Sequence, residues 1–179
     1  ESGRHVEALA GRSVIALCET AKGVLASSEI AAADSTVALM WGAEDLLASL
    51  GGRTSRDEGG HYRDFARFAR SRVLLSARAH DRAAIDAIHL DIADTEGLRG
   101  EALDAAASGF SATACIHPSQ VEVVRSAYRP SDAEVAWASG VLRAALNEHG
   151  VFRYEGRMID APLLRHAQRI LSSVGRLDD

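Results

Sequence analysis

Two apolar runs that each end in acids constrain this chain more than any other feature. Val14-Ile15-Ala16-Leu17-Cys18 runs into Glu19-Thr20, and Val37-Ala38-Leu39-Met40-Trp41-Gly42 runs into Ala43-Glu44-Asp45-Leu46. Apolar runs of this length without alternation read as strands buried on both faces of a parallel sheet. Between them Val24, Leu25, Ile30 and Ala31 recur at helical spacing, so residues 21–33 read as a helix that Thr20 can begin. Strand, helix and strand make a βαβ unit, and its strand C-terminal ends form an acidic mouth.

The pattern then repeats. Residues 6–10 read as a lead-in helix closed by Gly11. Leu46, Leu47 and Leu50 suggest a short helix after Asp45. Residues 51–60 form a glycine-rich polar loop, which reads equally as a lid over the mouth or as a solvated connector. Residues 61–81 read as one long helix, with Phe65, Phe68, Ala69 and Val73 on its apolar face and Arg63, Arg67, Arg70 and Arg78 on the other. Residues 85–92 read as a third strand ending in Asp94, residues 98–107 as a helix stopped by Gly109, and residues 111–116 as a fourth strand. Ser119 with Glu122, and Ser131 with Glu134, have capping-box spacing and predict helices over 119–128 and from 131 to about 148. Residues 151–159 read as extended or irregular. Asp160, with Pro162 in the first turn, opens a last helix to about 174. Alternation of this kind implies an α/β fold with a parallel sheet and right-handed crossovers. Four such strands are the half of a (β/α)8 TIM barrel, here with a C-terminal helical extension, and the domains are expected at 1–128 and 129–179. An open doubly wound sheet is the alternative, but no Gly-rich phosphate fingerprint follows any strand.

A net charge of -5 and a pI near 5.8 argue against nucleic acid or an anionic membrane as partner. No apolar run reaches the roughly 18 residues that span a bilayer. Cys18 and Cys115 lie inside apolar runs without zinc-type spacing, which fits reduced thiols in a cytoplasmic protein. The chain opens Glu1-Ser2-Gly3 without a methionine or a signal-peptide pattern, as though it starts within a domain.

Active sites of parallel sheets lie at the strand C-terminal ends. Four exits are expected there: Glu19-Thr20, Gly42-Ala43-Glu44-Asp45, Asp91-Ile92-Ala93-Asp94 and His117-Pro118. Two carboxylates from neighbouring strands, completed by waters and substrate oxygens, suit Mg²⁺. The competing reading makes these acids caps of the helices that follow. His117 reads either as a ligand donor or base or as a residue that ties its loop down. His89 reads as a core residue within a strand, Lys22 as a helical residue off the strand, and Asp160 as an N-cap.

At these residues the chain resembles a known family. Ala16-Leu17-Cys18-Glu19-Thr20-Ala21-Lys22-Gly23-Val24, Ser28-Glu29-Ile30-Ala31 and Met40-Trp41-Gly42-Ala43-Glu44-Asp45-Leu46 are similar to the citrate lyase beta-subunit-like family. That family belongs to the HpcH/HpaI aldolase superfamily of Mg²⁺-dependent C–C lyases. Residues 84–92 and 109–120 fit the same family. The resemblance implies a (β/α)8 barrel, with Glu19 and Asp45 as Mg²⁺ ligands. It implies that Gly42, Ala43 and Glu44, whose backbone amides would hold a substrate carboxylate, bind substrate together with His117 and Pro118. Residues 156–164 resemble the tail of the stand-alone citramalyl-CoA and malyl-CoA lyases. There the residue matching Asp160 acts as acid–base in a neighbouring subunit, which implies a homo-oligomer, trimer or hexamer. The expected reaction is cleavage of a β-hydroxyacyl-CoA thioester (citramalyl-CoA, malyl-CoA or citryl-CoA) to acetyl-CoA and a 2-oxo acid, with coenzyme A entering as part of the substrate. The family's first four strands, which carry an active-site arginine and much of the coenzyme A site, have no counterpart in these residues and are expected before Glu1. Without them the segment is not expected to catalyse. The alternatives are an aldolase for free 2-oxo acids and an inactive fragment that serves only assembly.

Overall fold

A computed structural model describes residues 2–9, 11–148 and 150–174. The described chain forms two compact units, Glu1–Val124 and Arg125–Asp179. The first is built on four parallel strands, β1 (Val14–Cys18), β2 (Thr36–Trp41), β3 (Ala83–Asp86) and β4 (Ala112–Thr113), adjacent in that order. Its helices are α1 (Gly3–Glu7), α2 (Ala21–Leu25), α3 (Ser27–Ala32), α4 (Ala43–Leu50), α5 (Asp64–Ala79), α6 (Thr95–Ser108) and, as far as Val124, α7 (Pro118–Tyr128). Sequential parallel strands joined by helices are the arrangement of part of a (β/α)8 barrel.

Register assigns every strand residue to a face. Ile15 pairs with Ala38 and that with Ala83, while Leu17 pairs with Met40, Ile85 and Ala112 in turn. Ala16, Leu39 and Ala84, then Cys18 and Trp41, then Asp86 and Thr113, share the opposite face. Helices α3 and α5 pack on the sheet. On the second face Cys18, Leu39, Trp41 and Ala84 are completely buried. On the first, Ile15 is 58% exposed and Leu17 48% exposed. The expectation that β1 is buried on both faces is therefore corrected. Among the described residues only the helix-covered face is closed.

Several elements differ from their expected bounds. The first helix ends at Glu7, and its expected end at residue 10 lies outside the described residues. The helix expected over 21–33 breaks at Ala26 into α2 and α3. The third strand ends at Asp86 rather than at residue 92, because only residues 83–86 pair with neighbours. The segment after Asp86 is tied to helices instead. The His89 ring bonds Glu101, and the His89 carbonyl accepts from the buried Gln120 amide at 2.9 Å. Likewise β4 is confined to Ala112–Thr113. Arg78, expected on the polar face of α5, and Arg72, which the sequence reading did not place, both bind carbonyls at helix ends. Arg72 donates to the Val24 and Leu25 carbonyls at the end of α2, and Arg78 to the Gly109 carbonyl after α6.

The second unit contains α8 (Asp132–Ala145), a β-hairpin of β5 (Phe152–Tyr154) and β6 (Arg157–Ile159), and α9 (Ala161–Val174). The Ser131–Glu134 capping box is formed as its spacing predicts. The stretch expected to be extended or irregular is the hairpin, turned by Glu155 and Gly156 at φ 48° and 80°. Two consecutive positive φ values suit the two-residue turns that match strand twist. Ala138, Val141, Phe152, Ile159, Ala167 and Ile170 form its core.

Candidate active site at the exits of β1 and β2

The polar centre of the first unit begins where β1 and β2 end. Glu19 follows Cys18 directly, and Asp45 lies in the first turn of α4, which Gly42 introduces. Acids in a first turn are favoured by the helix dipole. Partial burial, the nearby Asp45 charge and interaction with the Asp45 side chain, in that order, raise the Glu19 pKa above the usual carboxylate range. Gly42 makes the approach possible. A Cβ there would lie 3.2 Å from Glu19 Oε2 and 3.3 Å from Glu19 Cβ, closer than such contacts normally run.

Two carboxylates held together repel, and a bound cation relieves that repulsion. One or two carboxylates with waters and substrate oxygens form a Mg²⁺ donor set. Among the described residues no group of three His, Cys, Asp or Glu side chains converges as a tighter metal site would need. Glu19 and Asp45, as two carboxylates, are donors of the kind Mg²⁺ takes and would suit that ion. Glu44, beside them, is turned away and accepts from Ser55 Oγ at 2.6 Å.

Next to this pair is a cavity of about 220 Å³, with Gly42 to Asp45 along one wall, Arg56 and Tyr62 on another, and Ile88 and Leu90 at its edge. The glycine-rich loop thus supplies part of the wall. Asp57 Oδ1 accepts the Gly59 and His61 amides at 3.0 and 2.9 Å, and Arg56 donates to the Gly60 carbonyl at 2.8 Å. Arg56 also reaches Glu101 at 2.6 Å, and Glu101 contacts the His89 Nδ1 at 2.9 Å. A second hollow, of about 290 Å³ at Glu7 and residues 32–35, lies beside the start of β2, away from the acids.

The other exits are occupied differently. Asp94 caps α6 by accepting from the Gly97 amide at 2.8 Å, and Asp91 accepts from Ala93 at 2.9 Å. The acid that ends β3 is Asp86, which the expected bounds of that strand concealed. It is buried, accepts Trp41 Nε1 at 2.5 Å and is clasped by Arg70 at 2.7 and 3.0 Å. His117 is exposed and stands just before α7. Its Nδ1 accepts the Ser119 amide at 3.2 Å and lies 2.8 Å from Ser119 Oγ. Pro118 opens α7, one residue earlier than the capping pattern predicts, as a first-turn proline can. In the second unit Asp160 precedes α9 and accepts the Leu163 amide at 3.2 Å. Cys18 is a buried free thiol that burial pushes up to about 11, and Cys115 is a free, exposed one.

Sequence reasoning missed Ser55, Arg56, Tyr62 and Asp86. The first three lie in or beside a loop whose glycine content hides its order. A signal for them was the isolated aromatic Tyr62, two residues after Gly60.

The model of the HpcH/HpaI aldolase/citrate lyase family matches residues 6–118, the span that holds both carboxylates and the cavity. A citrate lyase subunit beta-like protein of Mycobacterium tuberculosis is 58% identical over 175 residues, covering 98% of this chain and 64% of that protein. The structure of CitE from Mycobacterium tuberculosis, in complex with magnesium, acetoacetate and coenzyme A, superposes with a TM-score of 0.92 at 58% identity, covering 98% of this chain and 66% of the other. The mitochondrial citramalyl-CoA lyase of Rattus norvegicus is 36% identical over 140 residues, 75% of this chain and 40% of that enzyme. This chain therefore spans about two thirds of the Mycobacterium relative and less of the rat enzyme. With a family match over more than half its residues and the paired acids at the exits of β1 and β2, the chain belongs to the HpcH/HpaI aldolase/citrate lyase family.

Proposed function

We propose that these residues form part of the active site of a Mg²⁺-dependent carbon–carbon lyase that cleaves a β-hydroxyacyl-CoA thioester to acetyl-CoA and a 2-oxo acid. The Glu19–Asp45 pair carries this reading, since its mutual repulsion calls for a cation. The magnesium and coenzyme A in the related CitE complex support it, as does the relatedness to a citramalyl-CoA lyase. Mg²⁺, when bound, supplies Lewis-acid stabilisation of the oxygen that changes from hydroxyl to carbonyl. Glu19 and Asp45 would hold it. The amides of residues 43–45, at the start of α4, would bind the carboxylate of the acid half, with His117 and Pro118 as further contacts. In the reaction the hydroxyl loses its proton and its carbon becomes the 2-oxo carbon. The broken C–C pair passes to the thioester as an enolate, which takes a proton to become acetyl. Asp160 of a neighbouring subunit is the proposed donor of that proton. Only its Oδ1 is engaged among the described residues. A homo-oligomer, trimer or hexamer, is part of this reading, with residues 129–179 as the lid between subunits.

Two free thiols are consistent with a reaction in the cytoplasm. No helix among the described residues is long and apolar enough to cross a membrane.

The test is Asp45→Ala in the intact enzyme, assayed on citramalyl-CoA and malyl-CoA with and without Mg²⁺. The expected result is a folded protein without Mg²⁺-dependent cleavage, and retained cleavage overturns the ligand assignment. Asp160→Asn should lower turnover while leaving Mg²⁺ affinity unchanged, and an unchanged turnover returns Asp160 to a plain helix cap. Cleavage of free hydroxy acids without coenzyme A would instead identify an aldolase for 2-oxo acids.

A further inference from the structure

Tyr62 is held more firmly than a loop residue needs to be. Its ring meets the buried Trp41 edge-on, with centroids 5.3 Å apart and planes at 70°. The Arg56 guanidinium carbon lies 3.8 Å from the centre of the same ring. Both clamping groups are themselves anchored. Trp41 donates to Asp86 at 2.5 Å, and Arg56 reaches Glu101 at 2.6 Å and the Gly60 carbonyl at 2.8 Å. An isolated antiparallel bridge joins Arg56 and Tyr62 through the backbone. Within this ordered cluster the phenol oxygen has no hydrogen-bond partner among the described residues, while the ring lines the cavity beside Asp45. Burial pushes the phenol up to about 12, so the hydroxyl keeps its proton at neutral pH and remains a donor. The ring is half-buried and the hydroxyl still reaches solvent, so a ligand entering the cavity can take the place of water on it.

We propose that Tyr62 is a substrate-recognition residue of this site, its hydroxyl donating a hydrogen bond to an oxygen of the small acid half of the substrate, and that Arg56 is the positioning residue that aims it. The proposal rests on the reading of Glu19 and Asp45 as a Mg²⁺ site. A cavity of about 220 Å³ has room for the small acid half of the substrate, such as a 2-oxo acid. Ile88 and Leu90 give the acid's carbon substituent an apolar neighbour, which leaves Tyr62 and the Gly42–Asp45 wall to read its oxygens. Tyr62 is fixed before the substrate arrives, so little ordering remains to be done on binding.

Tyr62→Phe removes only the hydroxyl and keeps the Trp41 and Arg56 contacts. The experiment titrates the intact enzyme with pyruvate at saturating Mg²⁺ by calorimetry, for wild type, Tyr62→Phe, Arg56→Met and the double variant, and measures Mg²⁺ binding alone on each. Tyr62→Phe should bind pyruvate about tenfold more weakly with Mg²⁺ affinity unchanged, the size of one hydrogen bond to a polar or charged partner. Arg56→Met should weaken pyruvate in the wild type and add little in the Tyr62→Phe background, because a residue acting through Tyr62 is non-additive with it. Wild-type affinity in Tyr62→Phe overturns the proposal, and full additivity overturns the positioning role of Arg56. Glu19→Gln separates the two levels. If it leaves pyruvate binding intact, the Mg²⁺ reading fails. If it abolishes binding while Tyr62→Phe matches wild type, the recognition role alone fails.

Discussion

Glu19→Gln should make the metal-free protein more stable and the Mg²⁺-loaded protein less stable than wild type. Glutamine keeps the shape of Glu19 and removes one of two like charges that lie near each other. Unit charges about 4 Å apart repel by about 1 kcal/mol in water and about 4 kcal/mol at an effective dielectric constant of 20. Glu19 is half-buried at the rim of the sheet, where solvent screens it, so the lower figure applies. The sign follows from the raised pKa of Glu19 in the folded state. The folded protein holds that proton more tightly, so the site's contribution is greatest at acid pH and declines as pH rises through the folded pKa. At neutral pH the wild type bears the repulsion and the variant does not. A gain of about 1 kcal/mol raises the melting temperature by about 2–4 °C in a chain of this size. Mg²⁺ at about a hundred times its Kd then stabilises wild type by about 2.7 kcal/mol, because it binds only the folded site. The variant, with one carboxylate left, should respond far less. Thermal melts with and without Mg²⁺ should therefore exchange their order. A variant that melts below wild type without metal, or that responds to Mg²⁺ as wild type does, would refute the placement of repulsion and metal at this pair.

Gly42→Ala should weaken Mg²⁺ binding by about tenfold, through a displacement of Glu19 of a few tenths of an ångström. Gly42 has an ordinary φ of −130°, so the far-ultraviolet circular dichroism of this variant should match wild type. In the second unit, the hydrogen bonds from Ser131 lower the Glu134 pKa. The stability Glu134 contributes is therefore present above its unfolded pKa and lost as pH falls through its folded one. Melts of Glu134→Gln across the acid range should show a flatter pH dependence than wild type, and an identical slope would remove Glu134 from the acid response.

The βαβ core and the paired acids were legible because their signals are local. An apolar run followed by an acid needs no distant information, and neither does the Ser131–Glu134 cap, whereas Ser119 falls inside α7 and contacts His117. The end of β3 was illegible for a physical reason. Ile88, Leu90 and Ile92 alternate as strand residues do, yet Leu90 and Ile92 are 55% and 43% exposed, and Ile88 and Leu90 edge the cavity. Apolar alternation alone therefore does not report strand pairing, because residues that edge a cavity can share the same spacing. The roles of Asp86, Arg56 and Tyr62 arise from contacts with residues far along the chain, such as Arg70, Glu101 and Trp41. No window along the sequence contains those partners. The hairpin after α8 was obscured by its three-residue strands, although Glu155-Gly156 marks its turn.

Strand parity explains why some exit acids are candidates for chemistry and another is structural. Side chains alternate between the two faces of a strand. Ile15 and Leu17 lie on the open face, and Glu19 continues that series. The space beside Gly42 confirms the direction: a Cβ there would touch Glu19 and come within 3.9 Å of Leu17 Cδ1. Gly42 in turn continues the series of Ala38 and Met40 on the same face. Asp86 has the opposite parity, sharing the helix-covered face with Trp41, and Arg70 of α5 meets it there. A carboxylate on that side is enclosed and fully partnered, which suits a structural role. A carboxylate on the other side opens toward the face that the described residues leave uncovered, where an ion and a substrate can reach it. Moving the acid at the end of β1 by one residue, by exchanging Cys18 and Glu19, would turn the carboxylate toward the covered side. It should cost both core packing and Mg²⁺ binding, whereas Glu19→Gln should cost Mg²⁺ binding alone.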